Sequence, residues 1–318
     1  MEITLLEPLN IENEKLTRLA SELENRGHVF NAYDDRTEDE EEIIERASGS
    51  DVIIITNLPL SAEVINSLPE LKMISVAFTG VDHIDLTACR KQGITVSNAP
   101  GYSTHSVAEL AVGLMISVMR NIVSCDRAVR DGKSREGLIG NELRGKTLGI
   151  LGTGSIGLRV AEIASAFGCD LIAYSRSERK EARELGIKYV DLDTLFAESD
   201  IVSIHVPHTS ETEGMINKNL INKMKESAIL INTARGPIVN SEALAEALNE
   251  GKIAGAGIDV FEMEPPIPGD HPLVGAKNTI LTPHVAFATP EAFDRRARIV
   301  FDNIIGWLDD KPINVVSE

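Results

Sequence analysis

The sequence predicts an α/β protein with two doubly wound, parallel β-sheets. Short apolar runs alternate with longer amphipathic segments along the chain, a pattern typical of β–α–β units whose strands lie parallel. A long apolar segment and a polar loop separate an earlier series of such units from a later one. Because 318 residues correspond to about two domains, we assign one sheet to each series.

The earlier series is predicted to contain four strands and four helices, followed by a longer helix. The strands are Ile3–Leu6, Val52–Ile55, Met73–Val76 and Ile94–Val96, and the helices are Asn13–Asn25, Thr37–Ala47, Ser61–Leu68 and Leu86–Gln92. The longer helix, Thr104–Arg120, carries few charges, and a helix that is apolar on nearly every side is normally buried. The polar segment Arg130–Arg144 is interpreted as a loop.

The later series is predicted to contain six strands and five helices. The strands are Thr147–Leu151, Leu171–Tyr174, Ile201–Ile204, Ala228–Ile231, Gly255–Ile258 and Thr279–Leu281. The helices are Ser155–Phe167, Glu178–Leu185, Leu192–Glu198, Lys218–Met224 and Ser241–Asn249. A last helix, Glu291–Leu308, begins after this series is complete, and we assign it to the first domain. The predicted domains are therefore residues 1–100 with 288–318, and residues 101–287.

Charge and cysteine content exclude several classes of protein. With 31 basic and 49 acidic side chains the net charge is -18, which repels nucleic acid and anionic membranes, so neither is an expected partner. Cys89, Cys125 and Cys169 lie far apart without a CxxC motif, which indicates reduced thiols rather than disulfides or a zinc site. Met1–Leu9 lacks the features of a signal peptide, and the apolar stretch Leu110–Met119 is too short to cross a membrane. A soluble, cytoplasmic protein is expected.

A glycine motif marks a candidate nucleotide site. The run Gly152-Thr153-Gly154-Ser155-Ile156-Gly157 matches GxGxxG and lies between a predicted strand and a predicted helix. In that setting the first glycine allows a tight turn, the second lets a pyrophosphate approach the backbone, and the third lets helix and strand pack closely. The alternative, in a chain with 24 glycines, is a strand-to-helix turn without a ligand. The context favours a Rossmann domain that binds a dinucleotide.

The residues after the next strand favour NADP over NAD. NAD sites usually place an acidic residue there, about 20 residues after the first glycine, to bind the ribose 2′-hydroxyl. This chain has Ser175 and Arg176 instead, and Glu178 comes three residues late. A guanidinium can bind a 2′-phosphate through two parallel hydrogen bonds. The alternative is that Arg176 is only a solvated surface residue.

Three polar segments follow predicted strands of the later series. They are Asn232–Pro237, Asp259–Pro265 and Thr282–Phe287. Ligands of open parallel sheets bind at the carboxyl ends of the strands, so Arg235, Glu264 and His284 are expected at one edge. Reduction of a 2-oxo acid needs a permanent cation for the carboxylate and carbonyl, a proton donor for the new alkoxide, and a carboxylate that orients a donor histidine. These three residues can fill the roles in that order, with His284 as the donor and Glu264 as its partner.

Each residue taken singly has another explanation. Arg235 can cap a helix or form a salt bridge, Glu264 can be a surface acid, and His284 can be a hydrogen-bonded core histidine. The other histidines show that this residue type is not rare here: they are His28, His83, His105, His205, His208 and His271. The functional interpretation therefore depends on the joint placement of the three.

The chain resembles the D-isomer-specific 2-hydroxyacid dehydrogenase family over nearly its whole length. The stretches that carry the resemblance are Asn98–Thr104, Gly152–Gly157, His205–Pro207, Asn232–Gly236, Asp259–Pro265 and Pro283–His284. The resemblance implies a homodimeric dehydrogenase with a Rossmann domain and a flavodoxin-like substrate domain that the C-terminal helix completes. It also implies that Arg235, Glu264 and His284 are catalytic.

The resemblance implies further contacts with cofactor and substrate. Besides Gly152, Gly154, Gly157, Ser175 and Arg176, the implied cofactor contacts are Thr104, Ser155, Ile156, His205, Val206, Pro207, Thr212, Thr233, Ala234, Arg235, Asp259 and His284. The implied substrate contacts are Phe78, Thr79, Gly80, Val81, Arg235 and Phe287, with backbone amides of residues 79–81 holding the substrate carboxylate.

Within the family, hydroxypyruvate or glyoxylate is the favoured substrate. Ser175-Arg176 resembles the NADP-preferring reductases of these compounds, and Phe287 replaces a small residue, as in members similar to glycerate dehydrogenase. Phosphoglycerate is less favoured because Thr56–Pro59 supplies no cation and the chain ends at Glu318 without a regulatory domain. Formate is disfavoured because formate dehydrogenases carry glutamine at the position of Glu264. A dinucleotide-sensing corepressor with the same fold is the alternative outside enzymes.

Overall fold

The computed structural model describes residues 1–316, which form two compact units. The first unit comprises Met1–Ser103 and Ala288–Glu318, and the second comprises Thr104–Phe287. The predicted first domain runs to residue 318, so its last two positions lie outside the described residues.

The structure contains two all-parallel sheets and helices between their strands. The strands are β1 Glu2–Leu5, β2 Val29–Ala32, β3 Val52–Ile55, β4 Met73–Val76, β5 Thr95–Ser97, β6 Thr147–Leu151, β7 Asp170–Tyr174, β8 Lys188–Tyr189, β9 Ile201–Ile204, β10 Ile229–Asn232, β11 Gly255–Ile258 and β12 Thr279–Leu281. The helices are α1 Asn13–Glu24, α2 Glu40–Ala47, α3 Ala62–Asn66, α4 Leu86–Gln92, α5 Thr104–Met119, α6 Ile122–Arg130, α7 Ser155–Ala166, α8 Lys180–Glu184, α9 Leu192–Glu198, α10 Lys218–Ile221, α11 Ser241–Asn249 and α12 Pro290–Leu308.

The sheet of the first unit has the strand order β2-β1-β3-β4-β5, which is the flavodoxin-like order. Every residue of β3 and β4 is buried, as expected for strands covered on both faces. On one face Ile3, Val52 and Ile54 pack with Leu23 of α1 and Phe301 of α12. The C-terminal helix thus completes the core of this unit.

The sheet of the second unit has the order β12-β11-β10-β9-β6-β7-β8. Counted from β6, this is the order 3-2-1-4-5-6 of dinucleotide-binding sheets, extended by one strand. Successive residues of a strand point to opposite faces, and β10 shows both faces covered: Leu230 packs with α9–α11, whereas Ile229 and Ile231 pack with α5 and α7. Two doubly wound sheets confirm the predicted fold class.

Two strands and one helix were not predicted. β2 is an exposed edge strand, so its sequence does not alternate between apolar and polar residues. β8 has only two residues, too few for any pattern. No residue of α6 is buried among the described residues, so its sequence pattern does not reflect packing within this unit. α2 begins at Glu40 instead of Thr37 because the Asp39 carboxylate accepts from the Glu42 N–H and caps the helix there.

No helix within residues 1–316 is by itself long and apolar enough to cross a membrane. The pair α5 and α6 meets the length and composition requirement together, but the two helices differ in direction by 57°. The apolar side chains of α5, including Ala111, Leu114 and Met115, are buried in the core of the second unit.

Candidate functional site

The glycine turn after β6 leaves open space at its second glycine. Gly152 has φ +99°, and a Cβ there would lie 2.7 Å from the carbonyl oxygen of His205. A Cβ on Gly157 would overlap the carbonyl oxygen of Gly152, so close packing requires glycine at both positions. A Cβ on Gly154 would meet nothing within 4 Å. Packing within the described residues therefore does not explain Gly154, whereas a phosphate approaching the backbone does.

The N-terminus of α7 adds to this fit. Gly154 is its N-cap and offers no side-chain cap, so the first N–H groups of a 12-residue helix remain available to a ligand. These groups and the helix dipole favour an anion at this end. Ser155 and Ile156, both predicted cofactor contacts, occupy the first turn. The residues present therefore fit the pyrophosphate of a dinucleotide.

The loop after β7 carries the residues predicted to select the cofactor. Arg176 Nη1 lies 3.2 Å from Glu211 Oε2, and both side chains are about 70% exposed or more. An exposed ion pair of this kind contributes little, so a 2′-phosphate can compete for the guanidinium. The Tyr189 hydroxyl accepts from the Arg179 N–H at 3.0 Å and bonds Thr153 Oγ1 at 2.9 Å. This tyrosine joins the loop to the glycine turn, and no sequence pattern marks it.

The loop after β9 is held by its own polar groups. Burial lowers the pKa of His205 to about 3, so its imidazole is neutral, and its Nε2 lies 2.8 Å from Ser203 Oγ. Thr212 Oγ1 donates to the carbonyl of Pro207 at 2.7 Å and accepts from the Thr209 N–H at 2.8 Å. These bonds fix the turn after Val206, which carries predicted cofactor contacts. A neutral His205 cannot attract a phosphate by charge.

The segment after β10 presents Arg235 from a tight turn. The Asn232 side chain accepts from the Ala234 N–H and donates to the Arg235 carbonyl, and Arg235 itself is half-buried. Thr233 Oγ1 is buried and has no hydrogen-bond partner within the described part of the chain. A buried hydroxyl normally finds a partner, so this group fits a polar ligand atom.

The turn carrying Arg235 packs directly on the segment after β11. A Cβ on Gly236 would overlap the backbone of Phe261 and approach the Glu262 nitrogen to 2.5 Å. We expect Gly236→Ala to lower the unfolding free energy by about 1–3 kcal/mol and to reduce activity, because one of the two segments must move. Thermal unfolding measures the effect. Gly113→Ala in α5, where a Cβ meets nothing within 4 Å, is the matched control and should be neutral or stabilising. A Gly236→Ala protein as stable as this control would contradict the close approach.

Asp259 holds the backbone of the segment that carries His284. Its buried carboxylate accepts from Thr282 Oγ1 at 2.6 Å and from the N–H groups of Val285 and Ala286 at 2.9 Å. Its carbonyl accepts from the His284 N–H at 2.8 Å. His284 has φ +54°, which is unfavourable for histidine, and these bonds compensate for that conformation. The predicted cofactor contact of Asp259 stays a prediction beside this observed role.

His284 and Glu264 form a direct pair. His284 Nδ1 lies 2.8 Å from Glu264 Oε2, and the histidine side chain is 13% exposed against 62% for the glutamate. The ring of Phe287 meets the imidazole edge-on, with centroids 5.2 Å apart. A carboxylate at Nδ1 fixes the ring orientation and favours a proton on that nitrogen. The arrangement can therefore exchange a proton with a substrate through Nε2.

The three predicted catalytic residues follow neighbouring strands. β10, β11 and β12 pair in parallel register, so their carboxyl ends lie at one edge of the sheet. Arg235 and the Glu264 segment meet through Gly236 and Phe261, and Glu264 bonds His284. Thr104 is the first residue of α5 in the same unit. Phe78, Thr79, Gly80 and Val81 belong to the first unit after β4, and their substrate contacts stay predictions.

Comparison with known proteins identifies relatives over most of the chain. Residues 112–286 match the family model described as D-isomer specific 2-hydroxyacid dehydrogenase, NAD binding domain. A protein named glyoxylate reductase from Thermofilum pendens is 44% identical over 276 residues, which cover 84% of this chain and 81% of that protein. A protein named D-3-phosphoglycerate dehydrogenase from Archaeoglobus fulgidus is 42% identical over 86% of this chain and 52% of its own length. The solved structure of an acyclic imino acid reductase, Bsp5, in complex with NADPH and D-Arg is similar with a TM-score of 0.90 and 33% identity, covering 99% of this chain and 100% of that one.

Proposed function

The chain belongs to the D-isomer specific 2-hydroxyacid dehydrogenase family, and we propose that within it this enzyme reduces hydroxypyruvate or glyoxylate with NADPH. Membership makes it a dehydrogenase that uses a nicotinamide dinucleotide. The observation that carries the proposed chemistry is the 2.8 Å bond between His284 and Glu264, on segments neighbouring that of Arg235. We also propose a cytoplasmic homodimer, on the acidic composition, the free cysteines and the family resemblance.

Arg235 binds the substrate carboxylate and polarises the 2-oxo group. A guanidinium suits this task because it stays charged and offers donors in a planar fork. A dinucleotide held by the glycine turn and the N-terminus of α7 would supply the hydride for C2 of the substrate. As negative charge develops on the carbonyl oxygen, the guanidinium stabilises it more strongly than it stabilises the ground state.

His284 supplies the proton that completes the reduction. With Nδ1 bonded to Glu264, the proton passes from Nε2 to the alkoxide oxygen, and the product is the 2-hydroxy acid. The imidazole then takes a proton from solvent before the next turnover. In the oxidative direction it accepts the hydroxyl proton instead. Asp259 keeps His284 in place by accepting from the Thr282 hydroxyl before it and from the N–H groups of Val285 and Ala286 after it.

The surroundings of His284 favour a short substrate. Phe287 places an aromatic ring 5.2 Å from the imidazole, which limits the room beside the proton donor.

A phosphorylated substrate would need a cation in the first unit, where the segment Thr56–Pro59 contains no basic residue. Arg36 Nη1 lies 2.5 Å from Asn57 Oδ1, so one cation from elsewhere in the chain does reach this segment. Its charge is already compensated by Glu7 at 2.7 Å and Glu38 at 2.9 Å, which disfavours a phosphorylated substrate. Phosphoglycerate dehydrogenase therefore remains the second candidate among enzymes.

A cofactor-oxidation assay tests the proposed function. Purified protein mixed with NADPH and hydroxypyruvate or glyoxylate should consume NADPH, followed by its absorbance, and phosphohydroxypyruvate should be the poorer substrate. Tight NADPH binding without turnover on any short 2-oxo acid would instead support a dinucleotide-sensing corepressor. Faster turnover of phosphohydroxypyruvate would contradict the proposed substrate.

Exchange of the residues after β7 is expected to reverse the cofactor preference. Ser175→Asp with Arg176→Ala supplies an acceptor for a ribose 2′-hydroxyl and removes the cation for a 2′-phosphate. The kcat/KM ratio of NADPH to NADH should fall roughly tenfold to hundredfold, the value of one or two charge-assisted hydrogen bonds. Arg183→Ala on α8, an exposed arginine paired with Glu178, is the control. A parent enzyme that already prefers NADH would refute the proposed preference.

Loss of the Glu264 charge is expected to slow reduction without weakening cofactor binding. The carboxylate orients the imidazole of His284 through Nδ1, and a glutamine side chain bonds that ring only as a neutral partner. In Glu264→Gln we expect kcat to fall by about threefold to tenfold or more, with an unchanged Kd for NADPH. Glu250→Gln, an exposed acid at the end of α11, should keep the parent kcat. A Glu264→Gln enzyme as fast as the parent would argue against the pair.

A further inference from the structure

A second histidine–carboxylate pair lies next to the catalytic one along the chain. Glu262 Oε2 is 3.0 Å from His271 Nε2, and the His271 side chain is only 5% exposed. Burial alone would raise the pKa of Glu262, but hydrogen bonds with Ser241 and His271 outweigh it and hold the pKa below its ordinary value. Glu262 is therefore an ionised, partly buried acceptor two residues before Glu264.

The hydrogen bonds of His271 define its tautomer. Its Nδ1 accepts from the Leu273 N–H at 3.3 Å, so the ring proton lies on Nε2 and is donated to Glu262. The ring also meets Phe261 edge-on, with centroids 5.3 Å apart. His271 thus contacts two successive residues of the segment that follows β11, one through a hydrogen bond and one through its ring.

Glu264 needs such support because its own side chain is 62% exposed. A long, exposed glutamate that pairs with a histidine loses side-chain entropy, and its hold on the partner depends on the backbone that presents it. That backbone is held two to three residues before Glu264, by Gly236 against the backbone of Phe261 and by His271 against Phe261 and Glu262. Without the second support the segment can withdraw from His284.

We propose that His271 is a positioning residue for the reaction: through Glu262 and Phe261 it holds the segment on which Glu264 reaches His284. This inference rests on the proposed acid–base role of Glu264. His271 contacts neither reacting atoms nor His284 among the contacts observed, so it acts only through Glu264. The coupling has a testable consequence: removing His271 should lower kcat only while Glu264 can still bond His284.

A double-mutant cycle tests the coupling with full-length protein. We expect His271→Leu to lower kcat about threefold to tenfold with an unchanged Kd for NADPH, and Glu264→Gln to lower kcat by at least as much. The double variant should be no slower than Glu264→Gln alone, because the two residues act as one unit. His28→Leu in the first unit, far from this segment along the chain, is the matched control and should keep the parent kcat.

Two conservative variants keep the test decisive if His271→Leu does not fold. His271→Gln retains a donor for Glu262 and should recover most of kcat. Glu262→Gln removes the charge with little change of shape and should show the same lack of additivity with Glu264→Gln. Losses that multiply in the double variants overturn the positioning role while leaving the proposed function intact. A Glu264→Gln enzyme with the parent kcat overturns the Glu264 role itself, and this inference with it.

Discussion

Arg235→Ala is expected to lower kcat/KM for 2-oxo acid reduction by roughly 10²- to 10³-fold. The guanidinium holds the substrate carboxylate and stabilises the charge that develops on the carbonyl oxygen, and truncating one partner of such a charged pair costs about 2–5 kcal/mol. Because its contribution grows towards the transition state, kcat should fall and KM should rise. Steady-state kinetics with hydroxypyruvate measure both.

Cofactor binding separates this role from a structural one. NADPH should still bind Arg235→Ala, with a Kd that changes far less than kcat, as measured by fluorescence titration, since the glycine turn and the loop after β7 are unaltered. Arg235→Lys keeps the charge but loses the planar fork, so it should recover only part of the activity. A variant that loses NADPH binding but keeps kcat at saturating cofactor would contradict the assignment.

His284→Asn is expected to lower kcat by roughly 10²- to 10⁴-fold, the usual contribution of a general acid. Asparagine suits the test because it adopts left-handed backbone conformations more readily than most residues, and this position has φ +54°. The Asp259 bonds to the N–H groups of Val285 and Ala286 should therefore persist. Any loss of rate then reports the missing proton donor rather than a displaced segment.

Single-turnover reduction at saturating NADPH is the appropriate measurement for His284→Asn. The single-turnover rate should fall in the variant, because the proton donor is gone. A residual rate within tenfold of the parent would show that another group donates the proton. The thermal midpoint should stay near that of the parent.

Local sequence patterns predicted the buried elements well because buried positions carry apolar residues at the spacing of the helix or strand. β3, β4, β6, β9 and β11 and helices α4, α9 and α11 have the predicted bounds, and so does β12, which is only half-buried. Fully buried strands are continuous apolar runs, and helix starts are marked by residues such as Asp85, Asp191 and Asn240, whose side chains cap the next turn. The sequences of β2 and α6 show no such apolar pattern. The side chains of β2 are largely exposed, and no residue of α6 is buried within residues 1–316.

The supports of the candidate site were harder to predict than its reactive side chains. Arg235, Glu264 and His284 stand out because each follows a strand whose end belongs to a ligand-binding edge. Asp259, which was predicted only as a cofactor contact, supports the His284 backbone. His271 was one histidine among seven, and its partner Glu262 is nine residues away in a loop without a periodic pattern. No sequence signal distinguishes such a pair from two unrelated surface residues.

The sequence by itself determined the two-sheet α/β fold, the dinucleotide motif and the three reactive residue types, because hydrophobic periodicity and glycine spacing are local properties of the chain. Only the tertiary structure decided which polar atoms meet: Arg176 with Glu211, Arg36 with Glu7, Asp259 with the His284 backbone, and His271 with Glu262. These partners come from separate segments, brought together by the order of the strands. Side-chain direction and loop path, which set each distance, are decided by packing rather than by local pattern.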